Sequence, residues 1–199
     1  MGQEHSTPHD RAQTYLRESA DITRKVAEKC LDSILAAANL IAEAYKNGHK
    51  ILLCGNGGSA ADCQHMAAEF VGVLRKDFPR AGLPAIALTT DSSFLTAFTN
   101  DFGFDDVFAH QVKALGQAND VLIGISTSGN SVNVLRAIRA AQSIGMRTIG
   151  LAGERGELTA AVDVAICVPS SDTQHIQEAH IAIEHIICEL VERSLLASE

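Results

Sequence analysis

The chain has 199 residues, 46% of them hydrophobic and 20% charged, enough apolar surface for one core and too little charge for a disordered chain. Its 24 acidic residues against 16 Lys and Arg give a formal net charge of -8, which excludes a general affinity for nucleic acid or anionic membranes and requires any bound phosphate to be held locally. Cys30, Cys54, Cys63, Cys167 and Cys188 are scattered without a C-x-x-C pair, and neither an apolar run of membrane-spanning length nor a leader-like N-terminus is present, so a reduced, cytoplasmic protein that spans no membrane is expected.

Residues 1–12 are polar, contain Pro8 and lack periodicity, which predicts a flexible N-terminal segment ahead of a single domain over 13–199. Ile22, Val26, Cys30, Ile34, Ala37, Ile41 and Ala44 recur every three or four positions and predict one long helix stopped at Asn47-Gly48. Five short apolar runs follow, at 51–54, 85–88, 121–125, 148–151 and 164–168, separated by helical stretches. That alternation predicts an α/β fold: a five-stranded parallel sheet flanked by helices on both faces, with ligands bound just beyond the strands' carboxyl ends.

The first strand runs into Gly55-Asn56-Gly57-Gly58-Ser59, which opens a helix and can offer backbone N–H groups to an anion. It fits a loosened dinucleotide fingerprint, but the acidic residue expected about 20 positions on is missing, and a plain tight turn is the simpler alternative. One turn apart in the following helix, His65 and Glu69 share a face, where imidazole and carboxylate can hold a metal together, act as base and partner, or only solvate the surface. Five of the seven phenylalanines lie between Phe94 and Phe108 and predict an aromatic anchor for a loop, leaving Asn100 and Asp101 free to face a cleft. Asp101-Phe102-Gly103 has none of the companion motifs of a protein kinase.

The third strand runs into Ser126-Thr127-Ser128-Gly129-Asn130-Ser131. Four hydroxyls and a helix N-terminus make a neutral phosphate cradle, as an acidic protein requires; an N-capping cluster without a ligand is the alternative. The G-K-[ST] element of a P-loop is absent, as is the closing Gly of a nucleophile elbow. From Thr173 to about Leu196 a final helix carries His175, Gln177, Glu178, His180, Glu184 and His185. Gln177 and His185 are about 12 Å apart along a straight helix, so joint use of both requires either a distorted first turn or two subunits.

Taken together, the glycine loop, His65-x-x-x-Glu69, Asn100-Asp101, the serine loop and Gln177-x-x-His180 with His185 resemble the sugar isomerase (SIS) domain, and within it the phosphoheptose isomerases, over nearly the whole chain after the first dozen residues. The resemblance implies a flavodoxin-like three-layer α/β/α fold and conversion of sedoheptulose 7-phosphate to glycero-manno-heptose 7-phosphate for bacterial surface polysaccharide, by a homotetramer with active sites between subunits. It implies Glu69 as general base and His185 as general acid. Phosphate contacts would come from Ser126, Thr127, Ser128 and Ser131, and other substrate contacts from Asn56, Gly57, Gly58, Glu69, Asn100, Asp101 and Gln177. Zinc, one per subunit, would be held by His65, Glu69, Gln177 and His185. Val73 and His175 stand where the family often has Arg. The competing readings are a non-catalytic SIS protein that binds a replication initiator, and an isomerase of another phosphosugar.

Overall fold

The computed structural model describes residues 7–75 and 79–196. It contains five parallel strands in the order β2-β1-β3-β4-β5: β1 (Ile51–Gly55), β2 (Ala85–Ala87), β3 (Val121–Ser126), β4 (Arg147–Ala152) and β5 (Val164–Cys167). The order reverses direction between β1 and β3, and such a switch point opens a crevice at the carboxyl edge of an α/β sheet. All residues of β1 and β3 are buried, as expected of strands covered on both faces. In register, Gly55 lies beside Ile125 and Ser126 beside Ala152, so the turns that leave β1 and β3 are neighbours.

Two apolar layers sandwich the sheet. Ile51, Leu53, Ile123 and Ile149 point to one side, against α2 (Leu31–Lys46), α3 (Gly58–Val71) and α8 (Thr173–Leu196). Leu52, Cys54 and Leu122 point to the other, against α5 (Val107–Leu115), α6 (Val132–Ser143) and the short α7 (Leu158–Ala161). No helix among the described residues is long and apolar enough to cross a membrane.

Two local expectations are corrected and one is refined. The N-terminal segment is not loose as far as residue 12: α1 (Pro8–Lys29) starts at Pro8, with Thr7 and Asp10 forming a reciprocal capping box that satisfies first-turn N–H groups, while residues 1–6 lie outside the described residues. The long periodic helix is two helices. It breaks at Cys30, whose thiol is 3.3 Å from the Cys167 carbonyl of β5. Val26 is the one buried residue of α1, whereas α2 buries a stripe from Ile34 to Tyr45, so α2 is bound to the core and α1 runs along α8. The aromatic cluster is carried mostly by helices, with Phe104 in the connection from α4 (Ser92–Phe102) to α5. Phe94, Phe98 and Phe102 follow one another at i,i+4 along α4, with ring centroids 5.2 and 5.0 Å apart.

Candidate active site at the carboxyl edge

The turn after β3 is built as a hydroxyl cradle. Ser126, 4% exposed at the end of its strand, places its Oγ 2.9 Å from Ser131 Oγ and 3.4 Å from Ser128 Oγ. Gly129 makes the reversal with φ +67°, and a Cβ there would lie 2.5 Å from the Arg155 carbonyl, a position only glycine fills without strain. Ser131 is the N-cap of α6, but its side chain makes no capping bond, so the hydroxyl is not committed to the helix. Three convergent hydroxyls beside a helix N-terminus suit a phosphate held without lysine.

The turn after β1 enters α3 through Gly57 and Gly58. Gln177 of α8 packs so closely that a Cβ on Gly58 would overlap its amide. Two turns into α3, three side chains converge. His65 Nε2 and His185 Nε2 are 2.8 Å apart, and Glu69 Oε1 is 3.7 Å from His65 Nε2. All three ligand atoms lie within 4.8 Å of one another. Two imidazoles and a carboxylate form a donor set suited to zinc that leaves a coordination position open, and the residues therefore fit such an ion. His185 is exposed and His65 and Glu69 half-buried, so a ligand can reach them.

Gln177 and His185 lie on one uninterrupted helix, α8. Gln177 meets the start of α3 and His185 its middle, because the two helices run alongside each other in the same direction. Three of the four residues expected to hold zinc thus meet at one point, while the Gln177 amide lies against Gly58. Asn100 and Asp101 are exposed at the end of α4, where Asn100 Nδ2 donates to Asp101 Oδ1 at 2.9 Å.

His180 and Glu184 are among the ionisable groups that α8 buries. Burial, with Asp62 adding to it, pushes the Glu184 carboxyl up to about 9, and both of its oxygens lack a hydrogen-bond partner. Burial holds His180 down to about 4, and its Nε2 lies 3.4 Å from the Ala152 carbonyl. Burial thus disfavours the charged form of both groups. Sequence pattern did not single out Asn133. It is 4% exposed in the first turn of α6 and pairs with Asn56 through two amide hydrogen bonds of 2.9 Å. A second polar residue beside the serine loop was the available signal.

The doubly wound sheet, with its hydroxyl cradle and its cluster of two histidines and a carboxylate, is that of an SIS domain, and the SIS domain family model matches residues 14–153. The phosphoheptose isomerase of Roseiflexus sp. (strain RS-1) is 52% identical over 181 residues, covering 90% of this chain and 91% of the relative. Among solved structures, the phosphoheptose isomerase of Neisseria gonorrhoeae superposes with TM-score 0.88 at 44% identity, covering 94% of this chain and 100% of that one. That of Francisella tularensis gives 0.90 at 36%, covering 94% and 99%. The chain belongs to the phosphoheptose isomerase family.

Proposed function

We infer that the chain interconverts D-sedoheptulose 7-phosphate and D-glycero-D-manno-heptose 7-phosphate. The observation that carries this reading is the accessible meeting of Glu69, His65 and His185 in a domain whose switch point holds a hydroxyl cradle. Aldose–ketose interchange needs one base that serves two adjacent carbons and one acid that serves their oxygens. Glu69 removes the proton from C1 of the ketose and returns it to C2 of the enediol. His185 protonates O2 as its carbonyl opens and accepts the proton of O1 as the aldehyde forms. Ser126, Thr127, Ser128 and Ser131 hold the phosphate, and Asn56, Gly57, Gly58, Asn100, Asp101 and Gln177 bind the polyol. A zinc ion on His65, Glu69 and His185, with Gln177 as the fourth candidate, would supply positive charge to the enediolate oxygens.

The same geometry favours an assembly, which we take to be a homotetramer. Glu69 is eleven residues into α3 from Gly58, about 16 Å along the axis, so a chain's cluster lies well away from its own glycine loop at the strand ends. Leu31 and Ile186 are exposed beside a groove of about 110 Å³ lined by Val26, Ile34, Ala179 and Ile183, an apolar surface suited to another copy. One heptose phosphate would then be served by the cradle of one subunit and the acid–base cluster of another. We place the reaction in the cytoplasm, early in the synthesis of heptose precursors for lipopolysaccharide. Incubation with sedoheptulose 7-phosphate, with and without a chelator, tests the reading. The aldose is expected to form, and more slowly after chelation if the ion assists; no aldose in either arm overturns it.

A further inference from the structure

The two turns at the switch point are joined by one polar contact. Asn133 follows Val132 in the first turn of α6 and is buried, although its side chain is an amide that is costly to bury without partners. It finds them across the crevice: Asn56 Nδ2 donates to Asn133 Oδ1, and Asn133 Nδ2 donates to Asn56 Oδ1, both at 2.9 Å. Asn133 Oδ1 also accepts from the Val134 N–H at 3.0 Å, which fixes Asn133 to its own helix. Asn56 has no comparable local support. It stands between Gly55 and Gly57, residues that restrain the backbone least.

We propose that Asn133 is a positioning residue that orients Asn56 toward the sugar, acting through the reciprocal amide pair rather than by touching substrate. This rests on the reading that the carboxyl edge binds a phosphosugar. A primary amide has two N–H donors and two acceptor lone pairs. The pair uses one of each on Asn56 and leaves one donor and one acceptor aimed from a fixed plane, the arrangement needed to bind the vicinal hydroxyls of a polyol. Asn133 stands two residues after Ser131 of the cradle, so the sugar-binding amide is set from the same helix that receives the phosphate. The distance between the two ends of the substrate is thereby built into one rigid element.

The test is a double-mutant cycle of Asn56→Ala, Asn133→Ala and both together, reading kcat and KM for sedoheptulose 7-phosphate and the Kd of inorganic phosphate. If Asn133 acts through Asn56, Asn133→Ala lowers kcat/KM about tenfold, as expected for loss of an oriented hydrogen bond. It leaves phosphate affinity within about threefold, and it costs nothing further once Asn56 is alanine. Losses that multiply in the double variant overturn the proposal, as does a parallel fall in phosphate affinity, which would mark Asn133 as mere support for α6. Should the alanine variant not fold, Asn133→Asp keeps the shape and the acceptor and completes the same cycle, with its added charge read separately in the phosphate Kd. A wild type that binds phosphate but does not turn over the heptulose defeats the functional reading and this proposal with it. An active wild type with additive losses defeats the proposal alone.

Discussion

The turn after β1 and the turn after β3 both lead from a central strand into a helix N-terminus, yet they offer a ligand different chemistry. The serine turn gathers hydroxyls 2.9 to 3.4 Å apart on α6, whose remaining length is given to packing, with Val134, Ala137, Ile138 and Ala141 buried. The glycine turn presents backbone and one amide, and its helix goes on to carry His65 and Glu69 beside His185. On the proposed reading, phosphate binding is concentrated at one helix start, and proton transfer in the body of the other helix. An acidic chain can manage an anionic substrate in this way, since a cradle of neutral hydroxyls and helix N–H groups needs no net charge.

The sharpest way to break this division is Glu69→Gln. Removal of the base should lower kcat by about 10²–10⁴-fold while phosphosugar binding, measured by calorimetry, changes little. Turnover near that of wild type would move the chemistry elsewhere. Ser126→Ala should do the reverse. Its hydroxyl is the hub of the cradle, and loss of a hydrogen bond to a charged group should raise KM about tenfold to a hundredfold with kcat nearly kept. Co-assembly of the two defective chains should recover activity that neither has alone if cradle and base come from different subunits.

The strands and the serine turn were legible because both signals are local: short runs rich in Val, Ile and Leu, and four hydroxyls at a strand end. The break at Cys30 was not, since apolar periodicity continues through it and the carbonyl that Cys30 meets there, that of Cys167, is 137 residues away. The helical state of Phe94 to Phe102 is signalled by the i,i+4 spacing of Phe94, Phe98 and Phe102, which composition alone does not convey. His65 and Glu69 could be paired from spacing alone, but their meeting with His185 depends on how α3 lies against α8. The separation of Gln177 from His185 along α8 was readable, yet its resolution, Gln177 on Gly58 and His185 on His65, was not. Asn133 was invisible for the same reason: its partner is 77 residues away.

The smallest expected effect concerns what ties α8 to the binding half of the edge. His180 hydrogen-bonds through Nε2 to the carbonyl of Ala152, the residue beside Ser126 in the sheet, and burial lowers it from 6.5 to about 4. A lowered histidine leaves stability unaffected well above pH 6.5, where the imidazole is neutral in folded and unfolded chains alike. Below 6.5 the unfolded chain takes up a proton that the folded chain refuses, so stability falls as pH drops toward 4, by at most about 1.4 kcal/mol per pH unit. His180→Gln removes that titration. Urea unfolding at fixed protein concentration should therefore show a shallower loss of stability between pH 6.5 and 5.5 in the variant, by about 1 kcal/mol. Identical slopes would mean that the imidazole is hydrated or charged in the folded protein, and that α8 is held to β4 by something other than a neutral hydrogen bond.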